Sequence, residues 1–569
     1  MPGPNEAPRE ARRRAADAPV VLLALDPAAA RPLHRQVYDG LRDAIVAGRL
    51  APGARLPSTR VLAADLGVAR NTVALAFEQL RTEGYVVGRR GGGTRVRGTI
   101  PDALLSVRPG GARRSSPGGG RRAAPGRAPE RPRAPAAGLR SAGLSPSGGA
   151  APPSPSSPSS PPSPPSPPSP PSPRLSARGV MLAAAGAPLL RVAGGTPVPF
   201  RIGVPALDAF PSRLWARLAA RGWRRGGVYL GDADPAGERA LREAIAGYVT
   251  NARGARCTPE QVVVVNGTQQ GLDLAARVLL DPGDAVWVED PGYPGARGPL
   301  AAAGARLVPV PVDAEGLDVR AGERAAPAAR LAYVTPSHQF PLGSVMSAPR
   351  RLALLEWAQR ADAWVLEDDY DSEFRYTGRP LPCLQGLEAE RRAADEPARV
   401  LYVGTFSKTL APGLRLGYLV VPDGLVDAVR GVRAALDRHT ATPLQGVLAD
   451  FIGEGHYARH VRRVRALCAE RQAVLLEAAG AELDGLLTLA PDVAGLHLVG
   501  WLAAGMTDPE AVAAAAAEGV QVLGLSRCRL APAPAERGGV LLSYAGFDGA
   551  AIREGVRRLR RALERIRRG

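Results

Sequence analysis

From Leu33 the apolar positions Leu33, Val37, Leu41 and Ile45 recur every four residues, the spacing of one buried helix face, and Gly48 ends the pattern. After a Pro52-Gly53 turn, Leu56-Pro57-Ser58 supplies a helix start with Ser58 as N-cap, and the short helix that follows runs to Leu66, where Gly67 closes it. A second helix spans about Ala69 to Glu83, with Val73, Phe77 and Leu80 on one face. Two short helices joined by Leu66-Gly67-Val68 predict a helix-turn-helix. Gly84-Tyr85-Val86-Val87, a Gly- and Arg-rich turn to Gly93, and Thr94-Arg95-Val96 predict a two-stranded wing after it. The pattern then lapses. Residues 99–176 are rich in Arg, Gly and Pro and pass into repeated Ser-Pro-Pro ending at Pro173. Proline removes amide donors and such a stretch has little to bury, so an unfolded polyproline II spacer is expected. Its roughly twenty Pro and Ser residues would reach about 60 Å at ~3.1 Å each.

From residue 177 to 569, helical patterns alternate with short apolar runs: Gln261–Val265, Ala285–Val288, Leu331–Val334 and Trp364–Leu366. Such runs predict an α/β fold with a mainly parallel sheet covered on both faces. The chain ends in an amphipathic helix with Ile552, Val556, Leu559, Leu563 and Ile566 inward and the arginines between Arg557 and Arg568 in solvent.

Charge changes this picture at the front of the chain. The formal net charge is +19 over 569 residues, yet residues 1–175 carry 26 Arg against 11 acidic residues, leaving a surplus of only 4 for the other 394. A basic module joined to a nearly balanced globular one fits a nucleic-acid reader, although basic tails alone would give the same count. Cys257, Cys383, Cys468 and Cys528 form no CxxC pair, so neither a disulfide framework nor a zinc site is indicated. Arg12-Arg13-Arg14 before Val20–Leu25 imitates a secretory signal, but the apolar run is too short, and no stretch approaches the ~20 apolar residues of a membrane span. A soluble cytoplasmic protein is expected. His456 and His460 are spaced for one helix face, but no third ligand is near, and no metal is expected.

Candidate chemistry gathers at Lys408, the sole lysine among 73 Lys and Arg residues. Arginine keeps its proton near neutral pH and cannot form an imine with an aldehyde, whereas a desolvated lysine can. Asn266–Gly271, between an apolar run and a helix, would present amides to an anion, and Glu367-Asp368-Asp369-Tyr370 places carboxylates at a strand end.

The segment Leu401–Val421, with Thr405, Ser407 and Thr409 around Lys408 and Arg415 beyond, resembles the Schiff-base segment of fold-type I pyridoxal-phosphate (PLP) enzymes, the aspartate aminotransferase class. The resemblance implies that Lys408 binds PLP covalently and that Arg415, Thr405, Gly267, Thr268 and Gln269 hold its phosphate. Tyr293 would stack on the pyridine ring, the alternative being a tyrosine that merely packs on the strand end. Asp368 would face the pyridine nitrogen, with Asp369 as competitor, and Tyr370 the phenolic oxygen. Phe340 stands where aminotransferases usually have Asn, and His338-Gln339-Phe340 is similar to MocR-type regulators.

Residues 20–98, through Leu56-Pro-Ser-Thr-Arg60, Leu66-Gly-Val68, Arg70-Asn-Thr72 and the basic wing, look like the winged helix of GntR-type regulators. By that resemblance Arg60, Arg70, Thr72, Arg90 and Gly91 meet DNA. Both sets of motifs in this order resemble the MocR-type branch of the GntR superfamily: a DNA-binding domain at 20–98, a spacer at 99–176 and a PLP-binding aminotransferase-like domain at 177–569. The family implies a homodimeric transcriptional regulator on a double-stranded DNA operator that senses an amino compound or PLP itself. The alternative is a working PLP-dependent aminotransferase with an accessory DNA-binding domain. Many aminotransferases hold the substrate carboxylate with an arginine on a late strand; Val540–Phe547 has none, and Arg297, Arg527, Arg529 and Arg537 do not match that position, so ligand response without efficient transamination is expected.

Overall fold

The computed structural model describes residue 26 and residues 33–46, 49–51, 53–82, 85–89, 93–96, 174–190, 198–224, 226, 231–378, 382–393, 395–531 and 537–568, in two compact units divided between Arg174 and Leu175. In the first, helices Leu33–Val46, Thr59–Asp65 and Arg70–Thr82 precede strands β1 (Val86–Arg89) and β2 (Gly93–Val96). The Ser58 side chain accepts the Val61 N–H and so caps the middle helix. Val37, Leu41, Ile45, Val73, Phe77 and Leu80 are buried with Val86 and Val96 in one core. β1 and β2 pair antiparallel, Val86 opposite Val96 and Arg89 opposite Gly93. The wing tip with Arg90 and Gly91, and the expected spacer as far as Pro173, lie outside the described residues.

The second unit begins with a helix at Ala177–Leu190. Its large sheet contains β3 (Val262–Val265), β4 (Ala285–Asp290), β5 (Arg306–Asp313), β6 (Gly316–Leu317), β7 (Leu331–Val334), β8 (Trp364–Asp369), β9 (Val400–Thr405) and β10 (Gly417–Val420). They lie in the order β3-β10-β9-β8-β7-β4-β5-β6. The central run from β9 to β5 is parallel, and β10 is antiparallel to both neighbours. β3, β4, β7, β9 and β10 are buried along their whole length, which is why most read as continuous apolar runs.

Two strands outrun their apolar sequence, β4 to Asp290 and β8 to Asp369. The buried carboxylates that end β4 are hydrogen-bonded, Glu289 by the Thr335 hydroxyl (2.6 Å) and amide (3.1 Å) and Asp290 by the amides of Leu530 (2.8 Å) and Ala531 (3.0 Å).

Four further strands, β11 (Leu487–Leu489), β12 (His497–Leu502), β13 (Leu523–Gly524) and β14 (Gly539–Ser543), form a small antiparallel sheet in the order β11-β12-β14-β13. Leu498, Leu502, Val540 and Leu542 pack on helices His456–Glu482 and Gly549–Arg568. Strand alternation turns Val499, Leu523 and Leu541 to the other face. In the last helix Ile552, Val556, Leu559 and Leu563 are buried and Ile566 is packed against that core. No described helix is long and apolar enough to cross a membrane.

Candidate functional site

The large sheet gathers the candidate residues on one edge. Asp369 at the end of β8 pairs with Gly404 of β9, while Gly417 at the start of β10 lies opposite both Thr405 and Val265. The segments after β3, β4, β7, β8 and β9 and the one before β10 therefore meet there, at the carboxyl ends where open α/β sheets bind ligands.

Lys408 follows β9. Burial pulls its amine below the ordinary lysine value against the opposing pull of Asp371 and Asp368, favouring the neutral nucleophile. Gly203 crosses close by with φ +90°, and a Cβ there would stand 3.6 Å from the Lys408 Nζ. That contact would be an ordinary one, so what glycine supplies here is a backbone conformation that side chains disfavour.

Adjacent positions in β8 face opposite ways. The Asp369 Oδ2 accepts from Arg253 Nε (2.6 Å), the Tyr402 hydroxyl (2.6 Å) and Ser372 Oγ (2.9 Å), and so belongs to a buried ion pair. The Asp368 Oδ2 accepts from the Tyr333 hydroxyl at 2.8 Å, while its buried Oδ1, like that of Asp369, has no protein partner. Burial raises the Asp368 carboxyl to about 7, against the stabilising pull of Tyr333 and Lys408. An unpartnered carboxylate oxygen beside an amine fits a ring N–H donor. Of the two aspartates that the sequence offers, Asp368 is the one grouped electrostatically with Lys408 and Tyr293.

Tyr370 continues the chain, its hydroxyl 3.1 Å from the His338 Nδ1. That imidazole lies between two carboxylates, Asp371 at 2.8 Å and Asp492 at 3.1 Å. Burial would neutralise it, but Asp371 and Asp492 outweigh burial and lift His338 to about 10.

At the other end of the edge, Gly267 takes φ +87° ahead of helix Thr268–Leu279, and a Cβ on it would come within 3.2 Å of the Arg415 Nη2. Arg415, itself left-handed at φ +51°, donates from Nη2 to the Asn266 carbonyl at 2.7 Å. Thr405 is buried, its Oγ1 accepting the Ser407 N–H at 3.1 Å. The first amides of the helix have no intrahelical acceptor, so Gly267, Thr268, Gln269 and Arg415 surround a place suited to an anion. The Gln269 side chain turns away, donating to the Gly295 carbonyl at 2.7 Å, which leaves its backbone amide for that role.

Tyr293 follows β4 and meets Phe340 edge to face, ring centroids 5.6 Å apart; burial raises its hydroxyl to about 12. His456 and His460 serve other ends: His456 pairs with Glu454 at 3.1 Å, and His460 donates to the Thr409 carbonyl at 2.7 Å behind Lys408.

In the first unit Arg60 and Arg70 occupy the opening turns of their helices and are exposed, while Thr72 is half-buried. No carboxylate among the described residues pairs with either arginine. A cation in the first turn opposes the helix dipole, an arrangement that phosphate would relieve.

Sequence reasoning passed over Arg253, Asp371, Asp492 and Gly203. Asp492 is 154 residues from His338, and no local pattern announces such a pairing.

The family model for bacterial regulatory proteins of the gntR family matches residues 33–96, and that for aminotransferase class I and II matches 208–559. The chain is 40% identical to the probable rhizopine catabolism regulatory protein MocR of Rhizobium meliloti, over 95% of this chain and 96% of that one. It is 34% identical to the HTH-type transcriptional regulator TauR of Rhodobacter capsulatus, over 96% and 99%. Among solved structures it is similar to LysN, the α-aminoadipate aminotransferase of Thermus thermophilus, complexed with N-(5'-phosphopyridoxyl)-L-leucine. That match has 31% identity and a TM-score of 0.59, covering 65% of this chain and 92% of that one.

Proposed function

As a member of the MocR-type branch of the GntR regulators, with a winged helix-turn-helix and an aminotransferase class I and II domain, this chain is a DNA-binding transcriptional regulator, and we propose that it senses an amino compound through PLP held on Lys408. The observation that carries this reading is the meeting of Lys408 with the unpartnered Asp368 Oδ1 and the Gly267–Arg415 anion cradle on one sheet edge. The phosphopyridoxyl group named for LysN supports the same choice of cofactor. Bound there, PLP supplies an aldehyde that captures amines and a ring that withdraws electrons.

The chain's own residues divide the rest of the work. Burial keeps the Lys408 amine ready to attack. Asp368 offers Oδ1 to the pyridine nitrogen, and the Tyr333 hydroxyl fixes the orientation of that carboxyl. Tyr370 serves the phenolic oxygen, steadied by His338, and Tyr293 covers the ring. Arg415, Thr405 and the opening amides of Gly267, Thr268 and Gln269 take the phosphate. Arg60, Arg70 and Thr72, with Arg90 and Gly91 at the wing tip, meet a double-stranded operator, the arginines reaching guanine edges or phosphates. A homodimer places two such heads on repeated half-sites.

Borohydride treatment followed by mass analysis tests the cofactor assignment. A phosphopyridoxyl adduct on Lys408 is expected, and an adduct-free wild-type protein incubated with PLP overturns it.

A further inference from the structure

Among the described residues, the apolar cluster against which Tyr293 and Tyr370 pack contains no cation. Phe340, Leu525 and Leu541 are buried together, with Ile202, Tyr293 and Tyr370 packed against them. Leu541 reaches this wall because β14 points alternate residues away from the helical core, with Val499 and Leu523 directly beside it. Two neighbouring arginines are committed elsewhere. Arg297 gives its guanidinium to the carbonyls of Arg527 and Cys528. Arg537 gives its own to the Leu502 and Trp501 carbonyls and the Thr488 hydroxyl. Arg527 is exposed, and Arg201 and Arg529 are each already engaged.

The histidines offer no substitute. His497 is buried, pushed down to about 4, and faces the Pro341 carbonyl at 3.1 Å. The charge on His338 is balanced by Asp371 and Asp492. The groups whose charge acts on the amine itself are the carboxylates of Asp368 and Asp371, the latter shared with His338.

We propose that the effector received over Lys408 is a primary amine with no carboxylate beside the amine-bearing carbon, its body uncharged where it meets Phe340 and Leu541. The inference rests on the PLP reading above and sharpens it from an amino compound to a decarboxylated class. A carboxylate brought against this wall would be desolvated without a partner, and the cost of stranding such a group corresponds to a loss of roughly tenfold or more in affinity.

The test uses full-length protein loaded with PLP and matched pairs that differ in the carboxylate alone: 3-methylbutylamine with leucine, ethanolamine with serine, histamine with histidine, and cyclohexylamine with 1-aminocyclohexanecarboxylate. Two readouts are followed, the cofactor absorption band and the melting temperature. The amine of at least one pair is expected to shift both at a concentration about tenfold or more below its amino acid. Leu541→Arg is expected to narrow or reverse that preference. Amino acids acting at equal or lower concentration than their amines, or silence from every amine, overturns the inference while leaving the PLP reading intact. A failure of that reading shows earlier and separately, as absence of the borohydride-trapped adduct before any ligand is added.

Discussion

The arginines at the helix starts of the first unit and those of the last helix of the second are compensated differently. In the winged-helix unit Arg60 and Arg70 project from helix starts with no acidic partner among the described residues. In the larger unit even the arginine-rich last helix is paired: Arg557 and Arg558 with Glu554, Arg560 with Glu482, and Arg561 with Glu518. Deeper inside, Arg253 is locked to Asp369, and Arg351 donates to the carbonyls of Met346, Pro336 and Pro382. The difference teaches that counting basic residues does not locate a nucleic-acid surface. Cations that the fold leaves uncompensated do so better, because phosphate can then replace water and counterions without displacing a carboxylate.

The contrast can be broken most decisively at the cation that is neither arginine nor exposed. Lys408→Ala is expected to abolish the borohydride-trapped adduct while operator binding, measured by anisotropy without effector, persists; loss of DNA binding in that variant would show that the units are not separable. Next in size, Arg253→Met leaves Asp369 buried without its partner. A stability loss of about 3–5 kcal/mol is expected in denaturant titration, since breaking a buried pair strands a charge. Arg70→Ala is expected to leave the melting temperature alone but weaken operator binding by about 1–3 kcal/mol if it reads a base, or flatten the salt dependence if it touches phosphate. Unchanged binding at every salt concentration would refute its role.

His338 gives the larger unit's compensated charge a pH signature. Its folded value of about 10 lies above the ordinary 6.5, so its contribution is fully present below about 6.5 and is lost as pH rises through about 10. The stability advantage of wild type over His338→Asn should therefore shrink across that window, and an advantage independent of pH would deny the ion its role. The smallest effect belongs to the paired surface: Arg560→Ala should change stability by under about 1 kcal/mol and operator binding not at all.

Much of this arrangement was legible in the sequence because its signals are local. Ser58 and Gly67 bound the short helix as their chemistry requires, and β3 and β7 read as uninterrupted apolar runs. Lys408 stood out by being alone. What stayed hidden depends on distant partners. β4 and β8 run on into acidic residues where distant groups, Thr335, Tyr333 and Arg253 among them, bind part of those carboxylates. Asp368 and Asp369 occupy opposite faces of β8, and Arg253, which pairs with Asp369 alone, comes from 116 residues earlier in the chain. The His338–Asp492 contact likewise joins the loop after β7 to the approach to the small sheet, a juxtaposition that no spacing encodes.

Arg415 sets thermal robustness against the proposed hold on the cofactor at a single codon. Left-handed backbone is filled by glycine at 17 described positions and by a side chain at only four, of which Arg415 is one. A non-glycine residue there holds strain of about 1–2 kcal/mol, which Arg415→Gly would partly relieve. The same change would remove the guanidinium that lies over Gly267. A redesign campaign ranking variants by melting temperature in the absence of PLP would therefore favour glycine here and select a hardier protein without the guanidinium proposed to hold the phosphate.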